Sequence, residues 1–119
     1  MSKTSEITNF IETGIRAENL RQKSIANNIA NLETPNYRRI DVKFEELLAR
    51  SLNSQGSADL SNIDLEFYSP KLTPVKSNGN DVNLETEVGE LVKNSLRHKT
   101  YIRLLNIKYA QIALAMDVK

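Results

Sequence analysis

The sequence predicts a mainly α-helical fold, in which two long terminal helices pack as an antiparallel coiled coil. An irregular middle insert with a short helix and short extended segments joins them. Two observations predict this fold. Apolar residues recur with helical spacing at both ends of the chain, whereas prolines and small polar residues interrupt every such pattern in the middle. The predicted units are residues 1–32, 33–82 and 83–119.

The first predicted helix covers residues 4–32. On a helical wheel its apolar residues fall within one half of the circumference, which is typical of an amphipathic helix. These residues are Ile7, Phe10, Ile11, Gly14, Ile15, Ala17, Ile25, Ile29 and Leu32. Glu18 lies inside this stripe and Leu20 lies outside it. Gly14 costs roughly 1 kcal/mol of helix propensity relative to alanine, so its position favours close approach of another backbone. Pro35 ends the pattern.

Residues 83–116 carry the strongest pattern in the sequence. Their apolar positions alternate between spacings of four and three residues, which is the heptad register of a coiled coil. The positions are Leu84, Val88, Leu91, Ser95, His98, Ile102, Leu105, Tyr109, Ile112 and Met116. At about 1.5 Å per residue the helix is roughly 50 Å long, too long for a globule of this size to cover. We therefore expect it to pair with the first helix or with neighbouring subunits. Asn83 or Asp81 is expected to cap its start.

The middle of the chain predicts short elements only, because each pattern there soon meets a proline or a run of small polar residues. Phe44, Leu47 and Leu48 lie on one face of the predicted short helix. In chain order the segments are a short helix at 42–52, a mobile loop at 51–62, a half-exposed strand at 63–68, extended chain at 70–74 and a turn at 77–81.

The composition excludes several kinds of site. The chain has no Cys and a single His, His98, which excludes thiolate and multi-histidine metal sites and disfavours a Ser-His-Asp triad. A formal net charge of +1 gives no overall attraction to nucleic acid or to an anionic membrane. No N-terminal segment has the pattern of a cleavable signal or of a bilayer span. The sequence therefore predicts no enzyme, no metal, no cofactor, no nucleic-acid partner and no membrane span.

Residues 24–38 contain three closely spaced asparagines near the predicted end of the first helix. Asparagine is a weak helix former, and Asn28 falls on the apolar side of the wheel. A buried amide needs hydrogen-bond partners, so Asn28 would fix the register of the helices. The alternative is simple fraying of the helix before a turn, in which Asn36 adopts a left-handed conformation. Tyr37 and the two arginines after it either grip an acidic partner or flank this turn, and the sequence favours neither.

Residues 26–37 read Ala-Asn-Asn-Ile-Ala-Asn-Leu-Glu-Thr-Pro-Asn-Tyr. This segment resembles the N-terminal signature of the flagellar basal-body rod and hook family, in which a long helix is followed by nearly the same residues. Leu32, Glu33 and Asn36 depart from its commonest form. Residues 79–87 and 94–97, with Tyr101, are similar to a short member of that family, the proximal rod subunit.

The resemblance implies a structural subunit of the proximal rod, in the periplasmic part of the flagellar basal body. It implies export through the flagellar type III system and polymerisation through the terminal helices. The implied partners are other rod proteins, neighbouring copies of the chain, and ring and export-gate components at the rod base. The expected interface residues are Ile25, Asn28, Ile29, Asn31, Thr34, Pro35, Tyr37, Leu91, Ile102, Leu105, Tyr109 and Ile112. The alternative is a coiled-coil adaptor or regulatory protein that binds a helical partner.

Overall fold

A computed structural model describes residues 3–53 and 64–117 of the chain. Its elements are α1 (Lys3–Ala30), β1 (Asp41–Lys43), α2 (Glu45–Asn53), β2 (Glu66–Tyr68) and α3 (Leu84–Asp117). The protein is long and thin, with extents of 67 × 30 × 14 Å. The predicted fold class is confirmed, because the long terminal helices pack on each other and the short elements lie between them in the chain.

The two long helices form an antiparallel hairpin whose register is set by cross-helix contacts along its length. Asn28 bonds Glu87 near one end, and in the middle the Asn94 amide donates to the backbone carbonyl of Glu18 over 2.7 Å. Further along, Gly14 lies opposite Tyr101. α3 has 34 residues and α1 has 28, so the hairpin is helical over nearly its whole length.

The side of α3 that packs on α1 differs from the predicted heptad row. Leu91, His98 and Leu105 are half-buried, as that row requires. At the other positions, the residue that faces α1 is the one directly before the predicted residue. Glu87, Asn94, Tyr101 and Lys108 take the places of Val88, Ser95, Ile102 and Tyr109. Glu87 and Asn94 face α1 because they have hydrogen-bond partners there, and these bonds offset the cost of burying the two polar side chains.

Gly14 lies in a close contact of a kind different from the one predicted. An added Cβ would lie 2.5 Å from Cζ of Tyr101, so an aromatic ring rather than a backbone approaches this glycine. The same ring meets Phe10 edge to face, with 6.3 Å between ring centroids. The ring of Tyr101 thus occupies a slot on α1 that exists because Gly14 has no side chain.

The insert contains a two-stranded antiparallel sheet in which Val42 pairs with Phe67. Pairing with β2 is the reason that the predicted helix at 42–52 begins only at Glu45, since its first residues are extended. Residues 51–53 belong to α2 rather than to the predicted mobile loop, and the remainder of that loop, residues 54–62, lies outside the described part of the chain. Ile63, the first residue of the predicted strand, lies outside it too, and all three residues of β2 are exposed.

The predicted turns at Asn36 and at 77–81 are confirmed, whereas the prediction of extended chain at 70–74 is wrong at Lys71, whose φ of 59° is left-handed. Asn36 has a φ of 63° and Gly79 a φ of 84°, both in the left-handed region that turns use. Asn83 caps α3, because its side-chain oxygen accepts the backbone N–H of Thr86 over 3.0 Å.

We expect the substitution Gly14→Ala to have opposite effects in two backgrounds. In a Tyr101→Ala chain it should raise the free energy of unfolding by about 1 kcal/mol, the usual helix-propensity difference. In the parent chain the ring of Tyr101 must move, and this gain should be cancelled or reversed. Urea unfolding followed by circular dichroism measures both changes. The same change in both backgrounds would show that the slot is not filled by Tyr101.

Candidate functional site

Two segments that the sequence singles out separately meet at one end of the hairpin. We call this region the junction and define it as residues 27–40 together with residues 76–87. Two backbone bonds join its halves: the N–H of Asn36 donates to Asn78 over 2.9 Å, and that of Asp81 donates to Tyr37 over 3.3 Å. Two of the segments that carried the family resemblance, 26–37 and 79–87, therefore meet in a single structural unit.

Asn80 ties the end of α1 to the segment that precedes α3. Its side chain is completely buried. The amide nitrogen donates to the carbonyls of Asn31 and Thr34, each over 2.8 Å, and the amide oxygen accepts the N–H of Val82 over 2.7 Å. A helix end leaves carbonyls without partners inside the helix, and Asn80 supplies partners for two carbonyls in this turn.

Asn28 is also fully buried, and its amide makes every hydrogen bond it can. Its oxygen accepts the backbone N–H of Ile40 and the hydroxyl of Tyr37, each over 2.9 Å. Its nitrogen donates to the carbonyl of Ile40 over 2.9 Å and to the carboxylate of Glu87 over 3.2 Å. The predicted bond between Asn28 and the partner helix is therefore present, and the alternative of a fraying helix end is wrong at this residue.

Asn31 is different from Asn28. Its nitrogen donates to the carbonyl of Asn27 over 2.9 Å, and its oxygen accepts the hydroxyl of Thr34 over 3.1 Å. Both partners belong to its own helix end and turn, so this side chain shapes the turn and does not reach α3.

Two buried carboxylates of the junction are each paired with an arginine. Arg39 donates from Nε to Glu87 over 2.7 Å, and Arg38 donates from Nε to Asp81 over 3.0 Å. Burial alone would lower the pKa of Arg39, but its bond to Glu87 and the nearby negative charges outweigh this effect and raise it. The cluster of Tyr37 and the two arginines therefore flanks the turn and is paired within the chain.

A second polar cluster, which we call the central network, lies midway along the hairpin around Glu18. The side chain of Glu18 is completely buried. It accepts bonds from Arg21 over 2.7 Å and from Arg97 over 3.0 Å, and Asn94 donates to it over 3.2 Å. Sequence reasoning treated Glu18 only as an exception in the apolar stripe. That exception was the available signal, because a carboxylate within a core stripe requires buried partners.

An apolar groove runs along the hairpin beside the contact between α1 and α3. Its lining consists of Gln22, Ile25, Ala26, Ile29 and Ala30 from α1 and Leu91 from α3. Val88 and Leu84, one and two turns before Leu91, are nearly half exposed. Three of the predicted interface residues, Ile25, Ile29 and Leu91, therefore lie in one groove.

The rest of α3 exposes apolar side chains on more than one face. The predicted heptad row leaves Ile102, Tyr109, Ile112 and Met116 exposed. A second row with helical spacing, which the sequence analysis missed, consists of Val92, Leu96, Ile107 and Leu114, and these residues are also exposed. Its signal was the sequence from Tyr101 to Met116, in which apolar residues occur around the whole helix.

The predicted interface residues thus fall into three regions. Asn28, Asn31, Thr34, Pro35 and Tyr37 belong to the junction, and of these five residues Thr34 and Pro35 are exposed. The groove holds three, and the second half of α3 holds Ile102, Leu105, Tyr109 and Ile112. Only Leu105 of these four is half-buried against the hairpin.

The described residues contain no group of three or more His, Cys, Asp or Glu side chains that is placed to hold a metal ion. Within the same residues, none of the helices is both long and apolar enough to cross a bilayer.

Comparison with known proteins points to one family. A family model described as "Flagella basal body rod protein" matches residues 9–38. Over 118 residues the chain is 29% identical to the flagellar basal body rod protein FlgB of Bacillus subtilis, with 92% of each chain covered. It is 30% identical to FlgB of Borrelia hermsii, covering 71% of this chain and 76% of that one. It is 34% identical to FlgB of Aquifex aeolicus, covering 70% of each.

We expect Asn28→Ala to lower the free energy of unfolding by at least about 2 kcal/mol, because it leaves the buried N–H and carbonyl of Ile40 without their partner. Asn27→Ala is the matched control. That residue lies on the exposed side of the same turn and bonds only the hydroxyl of Tyr37 through its side chain, so its loss should cost less than about 1 kcal/mol. Urea unfolding of both variants compares the two. Equal midpoints would contradict the role assigned to Asn28.

We expect Glu18→Ala to lower the free energy of unfolding by about 3 kcal/mol, because it leaves Arg21 without its buried counter-ion and removes the acceptor of Arg97. Glu12→Ala removes a carboxylate from the exposed side of the same helix and should change stability by less than about 0.5 kcal/mol. Thermal unfolding of both variants tests this. A Glu18 variant as stable as the Glu12 variant would show that the central network contributes nothing.

Proposed function

Because the chain belongs to the FlgB family of flagellar basal body rod proteins, we propose that it is a subunit of the proximal part of the rod and polymerises through its two terminal helices. The family is one of structural proteins of the flagellar basal body rod. The finer assignment to the proximal rod rests on the resemblance of residues 79–87 and 94–97 to that member of the family. The use of the helices as the polymer contact rests on the surface of α3.

The observation that carries this proposal is the exposed apolar surface of α3. α1 covers only one side of α3, yet α3 also exposes large apolar side chains on other sides, and contiguous exposed apolar surface marks an interaction site. Full burial of a large apolar side chain is worth roughly 1.5–3 kcal/mol, and each of these partly exposed side chains forgoes a share of that free energy. Ile102, Ile107 and Leu114 lie on two different uncovered sides. Neighbouring subunits in a rod would supply the missing cover.

The two uncovered rows of α3 give the contact a direction. One row, with Val88 and Ile102, follows the predicted heptad positions, and the other, with Leu96 and Ile107, lies elsewhere on the circumference of the helix. Contacts between two different surfaces of the same molecule repeat from copy to copy, and they build rings or open helical polymers rather than closed pairs. This geometry suits a rod subunit better than an adaptor with a single partner.

Export through the flagellar type III system belongs to the same proposal. A chain that passes this system unfolded benefits from modest stability. The described residues bury few apolar side chains, which are Ile11, Ala17, Ile25, Val42, Phe44 and Val82. Most other buried side chains are polar, and their net contribution to stability is small. The proposed partners are other rod proteins and further copies of this chain. At the rod base they include ring and export-gate components.

The proposal is tested by substituting single residues on α3 in cells that lack their own copy of the chain. Ile102→Asp places a carboxylate on an exposed apolar row, so the isolated chain should fold. Burying that charge between subunits would cost several kcal/mol per copy. The variant should be exported into the medium, be missing from purified basal bodies and fail to restore swimming.

Thr100→Asp is the matched control, because it adds the same charge two residues away at an exposed polar position. It should assemble and swim nearly as the parent does. Leu105→Asp should instead destabilise the isolated chain, since Leu105 is half-buried within the hairpin. Normal rods from the Ile102 variant would refute the helical contact. A parent chain that folds and stays inside the cell would favour the adaptor.

A further inference from the structure

Helix α2 is the least buried of the three helices. None of its residues is buried, and the side chain of Leu52 is 59% exposed. Its fixed points lie at its start: Phe44, which precedes it, is buried, and Glu45 bonds Arg21 of α1. Leu47, Leu48 and Ser51 of the helix are half-buried, so partial burial and the bond at Glu45 together hold α2 on the hairpin.

Arg21 bridges two carboxylates with its two terminal nitrogens. Nη1 donates to Glu18 over 2.7 Å, and Nη2 donates to both carboxylate oxygens of Glu45, to Oε1 over 2.6 Å. The side chain of Arg21 is 10% exposed, whereas that of Glu45 is 67% exposed. The two ends of this bridge thus differ greatly in their access to water.

The difference in exposure decides which bond breaks more easily. If Glu45 leaves, water hydrates its carboxylate at once, and Arg21 still has Glu18 as a counter-ion. If Glu18 left, Arg21 would lose its buried counter-ion, and Arg97 and Asn94 would each lose a bond to the Glu18 carboxylate. Because ion pairs with an exposed partner are weak and are screened by salt, the Glu45 end of the bridge is the weak one.

We infer that the bond between Arg21 and Glu45 is an electrostatic latch: it holds α2 on the hairpin, and α2 undocks when it opens while the α1–α3 contact and the junction stay closed. α2 is then a movable arm of the insert, and α1, α3 and the junction form the frame that stays in place. Because an ion pair supplies part of what holds α2 in its docked position, conditions that screen charge change that position.

Hydrogen exchange measured by mass spectrometry tests the latch on the intact chain. In the parent, amides of residues 46–53 should exchange about two- to fivefold faster at 1 M NaCl than at 0.05 M, the range expected for a partly exposed ion pair. Glu45→Gln should exchange equally fast at both salt concentrations. Amides around Asn28 and Asn94 should not change.

Two further variants separate the latch from helix propensity. Glu46→Gln removes a neighbouring carboxylate that pairs only with Arg50 within α2, so the salt dependence of exchange should persist. Arg21→Lys keeps the charge beside Glu18 but cannot fork to two carboxylates. In this variant, amide exchange in α2 should become faster although the sequence of α2 is unchanged.

Three results would overturn the inference. Exchange in α2 that ignores both salt and Glu45→Gln would show that the bond does not hold the helix. A salt dependence that survives in the Glu45 variant would place its origin elsewhere. Exchange that rises together in α2, α1 and α3 would show that Glu45 supports the whole fold and is no local latch.

Discussion

The buried carboxylate of Glu87 is the constraint on which the arrangement of the chain depends. It has no exposed side-chain surface, so it must be compensated within the protein. Asn28 reaches it from α1, and Arg39 reaches it from the insert. Arg39 is in place only because the chain turns at Pro35 and Asn36 after α1 ends. The end of α1, the direction of the insert and the start of α3 are thus fixed around one group.

Such buried charges are better explained by specificity than by stability. A buried ion pair often contributes little net free energy, because desolvation offsets its attraction. The pair does, however, raise the free energy of every arrangement of the helices that leaves one of its charges buried without a partner. α3 offers apolar side chains on several faces, so apolar packing alone would allow α1 to pair with it along more than one row. Glu87 and Asn94 select one row, since only that row brings them to Asn28 and Glu18.

The same point separates what the sequence could and could not predict. Local sequence patterns predict both long helices, the Asn83 cap and the turns at Asn36 and Gly79, because each of these features depends on residues close together in the chain. The row of α3 that faces α1 depends on a bond between residues 28 and 87, which no local pattern contains. An apolar heptad row is therefore a sound guide to a helix and a poor guide to which side of it is covered. The start of α2 was misplaced for a similar reason, because pairing with β2 extends Val42.

The contacts within the chain and the contacts left for neighbours differ in chemistry. Hydrogen bonds and ion pairs are directional, and within the subunit they fix the hairpin at the junction and at the central network. Apolar contacts are non-directional and grow with area, and α3 exposes apolar side chains that the proposed neighbouring subunits would cover. A subunit whose shape depended on the same apolar residues that bind its neighbours would rearrange whenever a neighbour arrived. Because Asn28, Glu18 and Glu87 fix the hairpin first, the rows that contain Ile102 and Ile107 are presented in a set geometry. In the proposed rod, that geometry is what allows each copy to repeat the contact made by the one before it.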